Sequence, residues 1–204
     1  MQAVPDYRPL HRRARDQAGQ VLAGIVPADL ARSTPCAGWD LSTLLRHMIG
    51  QNHGFADAVE FSDASLEAFA HRGFPPGGLQ DAWLASADRL RTAFASAPLD
   101  RLVKLAEIRP DEWFPVAIAV GFQLLDTVIH TWDVATALGA VFRPDDEMVE
   151  ATLAQAKRVP NAPTVRERPG AAFDPVLQGV TCVARSPQPI VGLPRRCAEL
   201  TPPG

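Results

Sequence analysis

The chain has 204 residues, 47% hydrophobic and 21% charged, with a formal net charge of -3. That length suits one domain with a modest appendage, and the composition allows a buried core. A slightly acidic balance supplies no basic field, which argues against nucleic acid as the main partner. No run approaches the roughly 18 apolar residues of a membrane span, and no apolar segment follows the N-terminal charges, so a cytoplasmic protein is expected. Cys36, Cys182 and Cys197 are odd in number and lack CxxC spacing. They read as reduced structural thiols rather than a disulfide framework or a thiolate zinc site.

Helical periodicity dominates the chain, with no strand-like alternation of any length and no internal repeat. A first helix is expected from about Pro9 to Val26, with Ala14, Ala18, Val21, Leu22 and Ile25 on one face, before Pro27 ends it. A turn-rich stretch through Pro35-Cys36-Ala37-Gly38 leads to a second helix, for which Asp40 is a suitable N-cap and Trp39 a staple against Leu44. Its apolar stripe is Leu41, Leu44, Leu45, Met48, Phe55 and Val59. Phe61 to Leu79 reads as a loose connection, followed by a third helix to Ala97 and an irregular segment to Trp113. A fourth helix is expected over Pro115 to Leu138, stopped by Gly139, and a shorter one over Asp145 to Arg158. Nine of the 19 prolines lie beyond Val159.

These elements predict an all-α four-helix bundle over residues 1–158, with a proline-rich C-terminal extension over 159–204 that is partly disordered.

The chemistry concentrates in two fragments, Trp39-Asp40-Leu41-Ser42-Thr43-Leu44-Leu45-Arg46-His47 and Asp126-Thr127-Val128-Ile129-His130-Thr131-Trp132-Asp133. Asp126 and His130 are about 40° apart around a helix and roughly 6 Å apart along it, so one cation can bridge them. With His47 from the second helix they compose a two-histidine, one-carboxylate set, which leaves a fourth zinc position for water or substrate. Asp133 shares their arc and can orient a ligand from behind or serve as a weaker ligand itself. The spacing leaves a second reading open. Gln123, Asp126, Thr127, His130 and Asp133 lie opposite Leu125, Val128, Ile129 and Trp132, which is also the look of a solvent face. His11, His53 and His71 read as solvated surface, and so do Arg89 and Arg91, which could otherwise meet an anionic substrate. No Gly-x-Ser-x-Gly and no Gly-rich phosphate loop is present.

The stretch Thr34-Pro35-Cys36-Ala37-Gly38-Trp39-Asp40 through His47, and His130-Thr131-Trp132-Asp133-Val134-Ala135 through Gly139, resemble a known family. They are similar to the metal-binding domain of mycothiol-dependent maleylpyruvate isomerases, within the DinB-like superfamily, over roughly Leu10 to Arg158. The resemblance implies a DinB-like four-helix bundle, often a homodimer. It also implies a divalent metal, Zn²⁺ first, held by His47, Asp126 and His130, with Asp126 standing where the isomerases proper carry glutamate. Its implied chemistry is activation of a low-molecular-weight thiol, mycothiol, for S-transfer to or isomerisation of an electrophilic small molecule. The alternative is a non-catalytic bundle that binds a metal or small molecule.

Overall fold

Short-range signals set several helix ends. In the computed structural model of the chain, which describes residues 4–159, α1 runs Arg8–Leu22, α2 Leu41–Phe61, α3 Leu79–Ser96, α4 Val116–Leu138 and α5 Asp146–Ala156. Asp40 Oδ1 accepts from Thr43 N at 2.8 Å, and Asp145 Oδ1 accepts from Met148 N at 2.9 Å. Each bond satisfies a first-turn backbone donor that has no partner inside its own helix. Gly139 ends α4 at φ 68°, a left-handed position that costs glycine nothing. Helix α1 stops at Leu22 rather than Val26. Val26 is extended (φ -107°, ψ 159°), as a residue before proline prefers, and Pro27 opens a separate one-turn helix, Pro27–Asp29.

Helix α2 packs against α3 and α4, and α1 packs against α4 and α3, closing the expected four-helix bundle; α5 lies on α4. One layer of the core joins Leu44, Leu45, Met48 and Ile49 of α2 to Leu22, Trp83 and Val134. A second joins Phe55 and Val59 to Leu90, Phe94, Val116 and Val120. Leu10 and Ala14 of α1 meet Leu124 and Val128 of α4 and Met148 of α5 in a third. Helix α4 is therefore enclosed by its neighbours. Gln123, Thr127 and Asp133 are 1%, 2% and 3% exposed. The polar arc of α4 faces the bundle, while Leu125 and Ile129 pack beside Trp132, Ala156 and Val159.

Two stretches expected to be irregular form a small sheet. Strand β1 (Asp63–Ala64) pairs in parallel with β2 (Leu102–Leu105), and β2 pairs antiparallel with β3 (Trp113–Pro115). Strands this short cannot show a two-residue period above noise. Val103 and Leu105 turn inward against Phe55 and Val59, so the sheet covers one end of the bundle core. Among the described residues no helix is long and apolar enough to cross a membrane. The extension expected over 159–204 lies, beyond Val159, outside the described residues.

Candidate metal centre

Because α2 packs on α4, His47 meets the Asp126–His130 pair. His130 Nε2 lies 3.3 Å from Asp126 Oδ1, and His47 Nε2 lies 3.6 Å from the same oxygen. The two imidazole centroids are 5.0 Å apart with planes at 86°. One ligand atom from each residue lies within 4.8 Å of the other two. A tetrahedral zinc with bonds near 2.0–2.1 Å sets its ligand atoms about 3.3 Å apart, so both carboxylate–imidazole edges have the right size. The other nitrogen of His130, Nδ1, is 3.0 Å from Asp133 Oδ2. That contact fixes the ring and turns Nε2 toward Asp126 and His47, as an outer-shell carboxylate does for a ligating imidazole. The donor set, its edges and its backing carboxylate all fit a divalent metal.

Charge follows the same geometry. Burial works against an ionised Asp126, but the charge and hydrogen bonds of His130 and His47 outweigh it and hold the carboxyl below the usual range. Burial also works against a charged His130, and Asp126, Asp133 and Cys36 together push its pKa well above the usual imidazole range. Without metal the pair is a carboxylate–imidazolium pair, and a cation replaces the imidazolium proton.

Around these three stand Glu107, which the sequence left unassigned, and Cys36 and Trp39, which it read as a structural thiol and a helix staple. Cys36 Sγ donates to Asp133 Oδ2 at 3.3 Å and lies 3.9 Å from His130 Nδ1. Its position inside Thr34–Asp40, the same fragment that leads into His47, was the available sign. Glu107, in the β2–β3 connection, accepts from Gln51 Nε2 at 2.6 Å, and Gln51 lies one turn beyond His47 on α2. Burial raises the Glu107 carboxyl, opposed by the Gln51 hydrogen bond and by the charge of His47. Nothing local marked Glu107, because its segment has no periodicity and its partners lie on other elements. Trp39 packs beside the cluster that contains Leu44, but its ring also lies 4.9 Å from that of His47 and 5.1 Å from that of His71.

The remaining histidines divide. His71 is exposed as expected, yet its ring is 5.6 Å from that of His47, at the edge of the site. His53 is half-buried and lies 3.3 Å from Arg89 Nη1. His11 reverses the surface expectation: it is 2% exposed, edge-on to Phe94 at 5.3 Å. Its neighbours on α1, Leu10 and Ala14, carry the inward face, and an arginine-rich local sequence masked that. Arg89 binds Asp57 and Glu60, and Arg91 binds Asp88, so neither is set aside for an anion.

A family model described as the mycothiol maleylpyruvate isomerase N-terminal domain matches residues 11–135. The chain belongs to this family. Two proteins of Mycobacterium tuberculosis, Uncharacterized protein Rv0738 and Uncharacterized protein MT0763, are each 28% identical to it over 167 residues, covering 78% of this chain and 86% of theirs. Crystal structures of the mycothiol-dependent maleylpyruvate isomerase and of a mutant of it share the fold. Their TM-scores are 0.61 and 0.62 at 16% identity, covering 81% of this chain and 71% of theirs. The expected DinB-like bundle is thus the fold of this chain, with the small sheet as an addition that periodicity did not reveal.

Proposed function

We propose that the chain is a metal-dependent enzyme that activates a low-molecular-weight thiol, mycothiol by family, against an electrophilic small molecule. The observation that carries this reading is the convergence of His47 Nε2, Asp126 Oδ1 and His130 Nε2, with Asp133 behind His130. Three protein ligands leave room for a sulfur, and bound Zn²⁺ favours the thiolate of such a thiol at neutral pH. Addition of the thiolate to the substrate forms a carbon–sulfur bond and moves a π electron pair onto the electrophile. Bond rotation and expulsion of sulfur then give isomerisation, whereas protonation of the adduct completes S-transfer. Glu107 is this chain's candidate to supply that proton: burial raises its pKa, and the Gln51 amide holds its Oε2. The rings of Trp39 and His71 flank His47 on one side of the site.

The test is elemental analysis of tag-free protein beside His47→Ala and His130→Ala, followed by a screen for metal-dependent thiol consumption. Bound metal in the unmutated protein, lower by at least one equivalent in each variant, with turnover of thiol and electrophile, supports the enzyme. Metal-free protein that takes up no added Zn²⁺ overturns it. Binding of metal or small molecule without turnover leaves the non-catalytic bundle.

A further inference from the structure

We infer that Cys36 Sγ, His130 Nδ1 and Asp133 Oδ2 form a second cation site, for a thiophilic divalent ion such as Zn²⁺, joined to the first through the His130 ring. The inference shares His130 with the metal reading above but uses the opposite nitrogen and two other residues. The three atoms lie within 4.8 Å of one another, with edges of 3.0 Å from nitrogen to carboxylate, 3.3 Å from sulfur to carboxylate and 3.9 Å from sulfur to nitrogen. Zinc bonds near 2.3 Å to sulfur and 2.0–2.1 Å to nitrogen or oxygen require edges of about 3.5 Å to sulfur and 3.3 Å between the others. The observed triangle brackets those values, so an ion needs only small side-chain adjustments.

The Cys36 backbone is held in place before any ion arrives. Cys36 N donates to Thr34 Oγ1 at 3.2 Å, Trp39 N donates to the Cys36 carbonyl at 3.1 Å, and Thr34 Oγ1 donates to the Trp39 carbonyl at 2.9 Å. Ser33 and Asp40 bridge the two ends of that loop. The thiol is thereby fixed against α4, where Asp133 is 3% exposed and has His130 as its ion-pair partner. A buried carboxylate keeps its charge only beside a cation. Entry of the ion releases the S–H proton of Cys36 and the Nδ1 proton of His130, so two positive charges enter and two leave. Asp133 faces a cation in both states. Cysteine adds what the first site lacks, a soft donor that selects thiophilic ions over magnesium or calcium.

The experiment is titration of the full-length protein with Co²⁺, read by absorbance and by equilibrium stoichiometry. Two equivalents are expected, the second with a near-ultraviolet thiolate-to-cobalt charge-transfer band. Cys36→Ser keeps one equivalent and loses the band. His47→Ala keeps the band and one equivalent, which separates this site from the proposed catalytic one: a single equivalent carrying the band in the unmutated protein sinks only that other reading. Cys182 and Cys197 remain in Cys36→Ser, so a band surviving there overturns the inference. A titration without a band does the same, whatever its stoichiometry. A variant-free check is alkylation of Cys36 by iodoacetamide, followed on its own peptide. Protection by Co²⁺ is expected, and equal rates with and without the ion overturn the site.

Discussion

Helices α2 and α4 carry two polar clusters one to two turns apart, one buried and one half-buried, and the clusters are built on opposite plans. In the first, Gln123 Nε2 donates to Asn52 Oδ1 at 2.9 Å and Asn52 Nδ2 donates to Ser86 Oγ at 3.0 Å. Ser86 Oγ in turn donates to the Trp83 carbonyl at 2.9 Å. Neutral amides and a hydroxyl alternate as donor and acceptor, and the chain closes on backbone. In the second, His47, Asp126 and His130 offer nitrogen and oxygen atoms to one another at 3.3 and 3.6 Å, longer than good hydrogen bonds and close to the edges of a coordination polyhedron. A polar cluster whose donors and acceptors run in a chain, with Gln123 Oε1 alone left over, holds helices together. One whose ligand atoms converge at such edges has the arrangement that the metal proposed above would use.

The largest expected effect breaks that comparison directly. Saturating Zn²⁺ at about 1,000-fold above its dissociation constant stabilises a single-site protein by about 4 kcal/mol. Calorimetric melting with and without Zn²⁺ is expected to show a rise of at least that order in the unmutated chain and in Asn52→Ala, a smaller one in His47→Ala, and none when His47→Ala is combined with Cys36→Ser. A response that survives in that double variant unites the two clusters as ordinary structure.

Next in size is the amide chain itself. Asn52→Ala leaves Gln123 Nε2 and Ser86 Oγ without their Asn52 partner, and a buried unsatisfied group costs about 1–3 kcal/mol. Denaturant unfolding of metal-free protein is expected to show a loss in that range, with metal stoichiometry unchanged.

Gly50 sharpens the contrast from outside both clusters. A methyl there would run into the backbone carbonyl of Ala70, in the connection that carries His71 to the site. Gly50→Ala is expected to cost about 1–3 kcal/mol by overpacking. Metal content should stay the same, and the ring contact between His71 and His47 should loosen, as read by broadening of His71 ring resonances in NMR spectra.

The smallest effect is in pH. Burial, then the charge of Arg15, hold the His11 pKa well below its usual value, with Asp126 pulling the other way. A depressed folded-state pKa means that below about pH 6.5 the unfolded chain binds a proton the folded chain does not, so His11 contributes stability above that pH and loses it as pH falls. His130, whose folded-state pKa is raised, contributes in the opposite sense: its share is complete at low pH and lost as pH rises through its folded value. The difference between the unmutated chain and His11→Phe isolates the first group. His11→Phe is expected to lose less melting temperature than the unmutated chain between pH 7 and pH 5; parallel curves would place His11 in contact with water.

By itself the sequence determined what depends on neighbours within a few residues. Asp40 and Gly139 bounded their helices because capping and left-handed termination are settled within one turn, and the four-residue spacing of Asp126 and His130 put them on one face before any packing was known. Which way that face pointed was not local information. The same arc suits solvent or interior, and only the seating of α4 among α1, α2 and α5 turned Gln123, Thr127 and Asp133 inward. Tertiary structure alone brought His47 to Asp126, Cys36 to Asp133 across 97 positions, and Glu107 to Gln51 across 56. It also buried His11, whose arginine-rich surroundings read as surface. A periodicity records the environment of one helix averaged over its turns. A site is a coincidence of single atoms from several elements, and packing alone fixes where those atoms meet.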